Sequence, residues 1–474
     1  MSTPHYDKQD KFSIFYYSKD LINHCLRDFA PNAEERRGKG GLGQLVEELF
    51  FGYQINSNAE ADFSTAGVEL KCTPLKLSKQ NGTAIKERLV CGMINYQEDW
   101  NKKFEESHFY KKSLVTLLLF YLHESGVSKL DLKFLYSVLW KLPEKDLLIM
   151  KQDYEVIINK IKTGKAHTLS EGDTMYLGAC RKGQKGETLM KQHGSNQPAP
   201  RRAWSLKMAY MRIVLDEVKQ NHDNGSYTNL DVKQIGSIEQ VVSEEDLHNN
   251  TFEEIILHRF IPYSHKNYVS TCSLLGIKAA PSKQKYFTIA NAIVGNQRIS
   301  NVNQSEEFLK AGLTMKTIRL QKDGSIKESM SFENIDYQEV YDCDDWYASR
   351  LYEIFSARFL FVVYKETDGE ITLSDGQREK EYLLDSVFFW TMPQSDLEIA
   401  EAYWQNIRSC VLNNTISPDR FWKIKDKRKF HVRPKGRVAS DLAVNPNGGY
   451  AKKYCYWFNS EYVESIIKNH HVTL

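Results

Sequence analysis

Ala61-Asp62-Phe63-Ser64-Thr65-Ala66-Gly67-Val68-Glu69-Leu70-Lys71 is the stretch of this 474-residue chain whose reading decides the fold. A carboxylate, a glycine-marked turn and then alternating apolar and charged residues predict a short β-hairpin. Alternation along its second strand sends Glu69 and Lys71 to one face, and Val68 and Leu70 to the other. If the turn folds Asp62 back beside the charged face, two carboxylates and an ammonium converge. Such a set suits phosphodiester hydrolysis. Hard oxygen ligands hold Mg2+, the metal neutralises phosphate charge and acidifies a water, and the lysine steadies that water or the developing anion. Asp followed by Glu-x-Lys also occurs on solvated strand edges, so the flanking chain has to decide.

Upstream, Gln44 to Phe51 reads as a helix whose apolar face is Leu45, Val46, Leu49 and Phe50. Glu47 and Glu48 flank that face on opposite sides, and periodicity does not say which one points towards Asp62. Before the helix, Gly38-Lys39-Gly40-Gly41-Leu42-Gly43 matches Gly-x-Gly-x-x-Gly. A dinucleotide site needs a buried strand in front of that motif, whereas here Glu34-Glu35-Arg36-Arg37 precedes it. A glycine-rich turn that lets Lys39 approach a phosphate is the reading that survives.

Downstream, Lys76 to Lys86 reads as a basic loop, Arg88 to Tyr96 as a strand and Asp99 to Ser107 as a charged helix. His108 to Lys112 then leads into the apolar run Leu114 to Phe120, expected as a central strand buried on both faces. Lys112 sits at its mouth. A helix is expected over Tyr154 to Lys162. Tyr176 to Gln184 reads as a strand running into the basic pair Arg181-Lys182, and Ala203 to Val218 as a long amphipathic helix. Apolar density falls from Gln220 to Asn250, the signature of a linker.

Composition sets outer bounds. The chain is long enough for two to four domains. Its formal charge is only +2, so a nucleic-acid surface would need local clustering. Eight scattered cysteines form no Cys-x-x-Cys, which fits reduced thiols in a cytoplasmic protein. Residues 1 to 10 lack the apolar core of a signal peptide. The most apolar run, Leu114 to Leu122, is too short to span a bilayer.

The second half echoes the first in the same order. Val46 to Gln54 pairs with Ile289 to Gln297 at an offset of 243, and Asp62 to Leu75 pairs with Glu307 to Leu320 at 245. Asp99-Trp100 pairs with Asp345-Trp346 at 246; Arg181-Lys182 pairs with Pro434-Lys435, and Trp204 with Trp457, at 253. Collinear matches predict a tandem duplication: a domain over 1–219, a linker over 220–250 and a second copy over 251–474. Ala290 then faces Glu47, Asn291 faces Glu48 and Thr314 faces Glu69, while Glu307 and Lys316 answer Asp62 and Lys71. One carboxylate without its partners should not hold a divalent ion. The second copy has instead a basic segment, nine Lys/Arg against one acid between Arg420 and Arg437, with interleaved aromatic residues as phosphate contact favours.

Lys39-Gly40…Gly43…Glu47, Asp62-Phe63, Gly67 to Lys71 and Ser107-His108…Lys112 resemble the MutH endonuclease family, which nicks at GATC in mismatch repair. Gly164-Lys165-Ala166-His167 and Leu169-Ser170-Glu171-Gly172 extend the likeness to the larger GATC-cutting type II restriction endonucleases, which carry a MutH-like domain and a degenerate copy. The resemblance implies an α/β fold, a mixed sheet flanked by helices as in restriction-endonuclease cores, repeated in two lobes. It implies Asp62 and Glu69 as Mg2+ ligands, Lys71 as the catalytic lysine, Glu47 as the helix glutamate and Lys112 as a second lysine. The family's site-contacting segments fall on Arg181, Lys182 and Lys207 in the first copy, and on Arg433 and Lys435 in the second. Three departures stand out. Ala61 replaces a proline, one extra residue between Gly43 and Gly52 keeps Glu48 in contention, and Cys180 stands at the family's arginine.

A Mg2+-dependent type II restriction endonuclease for GATC is therefore expected, with an inactive second lobe that binds DNA and acts allosterically. Its partners would be double-stranded DNA and, functionally, a cognate methyltransferase, with dimerisation or looping on DNA and no membrane. The competing readings are a mismatch-repair nickase, for which a fused inactive copy is unnecessary, and a non-cutting DNA-binding protein.

Overall fold

The computed structural model describes residues 5–34, 41–53, 60–78, 82–183, 188–222, 224–230, 238–436, 438 and 440–470. Two compact units divide the chain: residues 1–237 with 309–311, and residues 238–308 with 312–474. In the first, β1 (Glu69–Ser78), β2 (Gly82–Ile85), β4 (Val115–Leu122), β5 (Phe134–Lys141) and β10 (Ser226–Thr228) form a mixed sheet ordered β10-β5-β4-β1-β2. A smaller antiparallel sheet, β3-β9-β6, joins β3 (Leu89–Met93), β9 (Arg202–Leu206) and β6 (Leu177–Arg181); β7 (Leu189–Gln192) and β8 (Ser195–Pro200) make a hairpin.

β4 is the central strand, and both its faces are buried, so its sequence shows no alternation. Leu117 and Leu119 pack with Val68, Leu70, Phe50 and Phe51 against the N-terminal helical region. Leu118 turns the other way, towards Leu206, Tyr210 and Val214. Each fully buried leucine contributes roughly 1.5–3 kcal/mol, so this double packing holds β4 firmly. β1 lies parallel on it, with Glu69 opposite Thr116 and Lys71 opposite Leu118.

Several local readings give way to tertiary pairing. Within Lys76–Lys86, expected as a loop, the described residues are strand: β1 runs to Ser78 and pairs with β2 at the sheet edge, where polar side chains reach solvent. Asp99–Ser107 is two short 3-10 turns, not a helix, because Asp99 accepts from the Asn95 N–H and the Lys102 ammonium and competes with helical bonding. Ala203–Leu206 is strand, since β9 lies between β3 and β6 with Trp204 buried; the helix begins only at Met208 and runs to Asn221. Within 220–250, Ser226–Thr228 completes the sheet beside β5, and Glu244–Asn249 is helical.

The second unit repeats the pattern of the first. β11 (Thr314–Leu320), β13 (Arg358–Thr372) and β14 (Arg378–Thr391) form one sheet; β12 (Met330–Asn334), β18 (Tyr454–Phe458) and β15 (Phe430–Pro434) form the other, and β16 (Leu442–Val444) and β17 (Tyr450–Lys452) form a hairpin. β11 is parallel to β13 with Thr314 opposite Phe359, as Glu69 is opposite Thr116. A further matched stretch accompanies this geometry: Trp140-x-x-Pro143-x-x-Asp146-Leu147 and Trp390-x-x-Pro393-x-x-Asp396-Leu397. Tyr210 donates to Asp146 at 2.8 Å and Tyr462 to Asp396 at 2.6 Å. Registers correct one sequence pairing. Cys180 opposes Ala203 and Arg433 opposes Cys455, so Trp204 corresponds to Tyr456 rather than Trp457. A one-residue slip would put the wrong face inward; Trp204 and Tyr456 are both buried, whereas Trp457 is half-buried.

No helix among the described residues is long and apolar enough to cross a membrane. We expect a fragment of residues 1–237 to fold, and a fragment cut at 219 to be weaker. The shorter one loses β10, the buried Tyr227 with its bond to Glu217, and the paired Asn229–Lys141 bonds. Loss of roughly 2–4 kcal/mol is anticipated. Urea midpoints of the two fragments check this; equal midpoints would show that β10 adds nothing.

Candidate active site

Phe63 and Val68 close the expected hairpin through reciprocal backbone bonds of 2.9 and 3.2 Å. Gly67 sits inside the turn at φ 65°, a conformation a β-carbon disfavours. This turn carries Asp62 back over the start of β1, where its Oδ2 accepts from the Leu70 N–H at 2.9 Å, and the Asp62 N–H donates to Glu69 Oε2 at 3.3 Å. The two carboxylates are thus held side by side by backbone N–H groups, Asp62 by that of Leu70 and Glu69 by that of Asp62, before any ligand arrives.

Glu69 is 3% exposed. Lys71 Nζ donates to its Oε1 at 2.6 Å, and Lys112 Nζ lies 3.8 Å from its Oε2. Lys112 is delivered by the helix His108–Ser113, which Ser107 caps by accepting from the Tyr110 N–H. Burial pushes the Glu69 carboxyl up against the pull of the two lysines. Burial works to depress Lys71 as well, but the Glu69 carboxylate outweighs it and holds the ammonium above its ordinary value. Breaking such a buried pair strands a charge at a cost of about 3–5 kcal/mol.

Glu47 completes the group. The expected helix is α-helical only over Leu42–Leu45, and Val46–Phe50 forms a π turn, with the Phe51 N–H bonded to the Val46 carbonyl at 3.1 Å. π turns are rare and concentrate at functional sites. Burial, then the charge of Asp62, raises the Glu47 carboxyl from 4.5 to about 7, with Lys71, Glu69 and Lys112 also acting on it. Glu47 therefore belongs electrostatically to the cluster, which periodicity alone left open against Glu48.

Asp62 and Glu69 place hard oxygens side by side, and burial disfavours ionisation of Glu69 and of Glu47, which lies within electrostatic reach of both. A divalent cation relieves that cost, and Mg2+ takes one or two carboxylates, completing its shell with phosphate oxygens and water. The donor set fits such an ion. Among the described residues no group of three or more Asp, Glu, His or Cys is placed to hold a metal ion by itself, so the fit rests on the Asp62 and Glu69 pair.

The expected DNA-contacting residues are distributed differently. Lys39 lies outside the described residues. Arg181 ends β6 and Lys182 follows it, both half-buried, while Cys180 is enclosed at 2% exposure. Lys207 requires correction: it is buried and donates to the Thr174 carbonyl, so in this conformation it braces the fold instead of facing a ligand. In the second unit Arg433 and Lys435 are exposed, their charges 4.8 and 5.9 Å from the Trp457 ring.

The second unit's counterpart to the cluster has lost more than the pairing by sequence suggested. Glu307, aligned with Asp62, is fully buried and accepts from the Val241 and Val242 N–H groups. The group that accepts from the strand N–H, as Asp62 does, is Asn303, at 2.7 Å from Met315 N. The helices Arg350–Phe355 and His108–Ser113 correspond through their Ser349 and Ser107 caps; Ile354 then stands at Lys112. Neither substitution was picked out by sequence, although matching the Ser caps would have exposed the second.

DNA mismatch repair enzyme MutH matches residues 51–153, a span that includes Asp62, Glu69, Lys71 and Lys112. The type II restriction enzyme Sau3AI of Staphylococcus aureus is 27% identical over 507 aligned positions, covering 97% of this chain and 98% of that protein. The DNA mismatch repair protein MutH of Shewanella amazonensis is 28% identical over 39% of this chain and 81% of its own length, and that of Shewanella woodyi 26% over 45% and 94%. The mismatch repair proteins match under half of the chain, while the restriction enzyme matches almost all of it, both units included. Taken with the cluster around Glu69, these relations show a MutH-like chain similar along its whole length to a type II restriction enzyme, and an enzyme of the site-specific deoxyribonuclease class.

Proposed function

We propose that this endonuclease hydrolyses double-stranded DNA at GATC in the cytoplasm, with Mg2+ as cofactor, in a restriction–modification pair with a methyltransferase that protects the same site. The first unit cuts. The second, a degenerate tandem copy, binds DNA without cutting and acts on the first as an allosteric lobe. The observation that carries this reading is the asymmetry of the two centres: Glu47, Asp62, Glu69 and Lys112 on one side, and Ala290, Asn303, Thr314 and Ile354 on the other. Full-length similarity to a restriction enzyme favours it over a repair nickase.

In the proposed mechanism Asp62 and Glu69 hold the ion. When bound, Mg2+ neutralises charge on the scissile phosphate and acidifies the attacking water. Lys71, fixed by Glu69, stabilises negative charge developing on the attacking oxygen, and Lys112 adds a second positive charge behind the same carboxylate. Glu47, balanced near neutrality, accepts a proton at the edge of the site. Arg181 and Lys182 on the first unit contact the duplex that is cut, and Arg433 and Lys435 on the second contact another GATC site.

Asp62→Ala and Glu69→Ala should each lower cleavage on the order of a hundredfold or more, with DNA binding largely kept; Lys71→Ala should behave alike. A variant cleaving near the wild-type rate removes that residue from the site. Glu47→Gln should be more damaging than Glu48→Gln, and the reverse ranking would give the role to Glu48.

Glu47 also makes a pH prediction. With its carboxyl raised to about 7, the folded chain keeps a proton that the unfolded chain releases near 4.5, so folded stability falls as pH rises between these values. Glu47→Gln removes that penalty. In chelator, the variant should melt higher than the wild type at pH 8 and show a smaller difference at pH 4.5. Equal melting at both pH values would mean that Glu47 is not held against its charge.

Plasmid DNA containing GATC, incubated with Mg2+ and with chelator, tests the whole assignment. Linear product only with Mg2+ is expected; nicked circles would point to a repair-type nickase, and a shifted uncut band to a binding protein. An uncleavable GATC oligonucleotide should accelerate cutting of a one-site plasmid, reflecting a coupling of about 1–3 kcal/mol. Inhibition at every oligonucleotide concentration would leave the second unit as an accessory binding lobe.

A further inference from the structure

The two centres differ in the sign of their charge, and this has a chemical consequence. In the first unit carboxylates converge on the strand lysine. In the second, the matching lysine Lys316 remains on β11, but the group one step before it on the same face is Thr314. Lys316 Nζ donates to the Ser331 carbonyl at 3.1 Å and lies 4.9 Å from the Phe332 ring. Lys435 comes to the same place from the end of β15: its Nζ donates to Ser331 Oγ at 3.3 Å and to the Phe332 carbonyl at 3.1 Å.

Two ammonium groups therefore meet on one residue, Ser331. Among the described residues neither has a carboxylate within ion-pair distance. The acid nearest in sequence, Glu333, is engaged by Arg350, whose Nε lies 3.1 Å from Glu333 Oε2, and Glu307 faces the Val241 and Val242 amides. Burial, then the charge of Lys435, depresses Lys316 to about 8. Like charges brought together without a counter-ion are relieved by an anion, as the carboxylates of the first unit are relieved by a cation.

We propose that the vestigial centre of the second unit is a phosphate clamp: Lys316 and Lys435 together hold one phosphodiester of bound DNA at the position where the first unit would cut. The centre keeps the phosphate-facing lysine of a nuclease and lacks the carboxylates that would recruit a metal, so it grips the backbone and leaves it intact. Arg433, stacked on Trp457 beside it, extends the same positive surface. This proposal rests on DNA binding by the second unit.

Salt dependence of binding measures it directly, because each phosphate contact contributes roughly one unit to the slope of log K against log salt. Binding of the full-length protein to a GATC duplex is measured without metal. The double variant Lys316→Met/Lys435→Met should lower the slope by about one and each single variant by a measurable part of that, while Lys316→Arg should retain it, separating lost charge from lost packing. Lys425→Met/Lys427→Met is the companion variant in the exposed basic segment. If that variant lowers the slope but Lys316→Met and Lys435→Met do not, the clamp is wrong and DNA binding by the second unit stands. If none of these variants changes it, the second unit does not bind DNA and the clamp falls with it. Lysine acylation read by mass spectrometry gives an independent check, with Lys435 expected to be protected by the duplex. Full reactivity of Lys435 in the complex would also overturn the clamp.

Discussion

Glu69 is a carboxylate at 3% exposure, and the first unit is arranged around keeping it there. An isolated buried carboxylate is costly, of the order of several kcal/mol even after relaxation. Three features offset the cost: Lys71 on the same strand face, Lys112 from the helix that precedes β4, and the backbone N–H of Asp62 delivered by the Gly67 turn. Each depends on a larger element. β1 must lie parallel on β4 for the helix bearing Lys112 to end beside Glu69, and β4 keeps its place because it is packed on both faces.

The same constraint explains why the cluster is prepared for a cation. Glu47 is itself partly buried and lies within electrostatic reach of Asp62 and Glu69, and the result is a Glu47 carboxyl displaced to about 7. A fold selected for stability alone would separate these groups. Keeping them together costs stability, the usual relation between a strained site and its function.

In the second unit the scaffold persists while the electrostatic problem disappears. Asn303 takes the backbone bond that Asp62 makes, without the charge; Thr314 replaces the buried carboxylate, and Ile354 replaces the lysine that balanced it. With no carboxylate at Thr314, no balancing lysine is needed at Ile354. Lys316, which has no such partner, turns to the Ser331 carbonyl.

Much was legible in the chain itself. Short-range order determined the hairpin from Asp62 to Lys71, the two-faced burial of β4 and the polarity of the site, because these follow from alternation, from an unbroken apolar run and from one glycine. The collinear matches between halves anticipated the repeated strand order. Long-range contact decided the rest. That Glu47 shares electrostatics with Asp62, Glu69 and both lysines came from the tertiary fold, and the π turn that carries it leaves no mark in periodicity. Ala203–Leu206 became strand because β3 and β6 pair on either side of it, and Lys207 turned inward because the Thr174 carbonyl lies within reach. Asn303, not the aligned Glu307, took over the role of Asp62, since a backbone N–H is satisfied by whichever acceptor the tertiary fold brings to it.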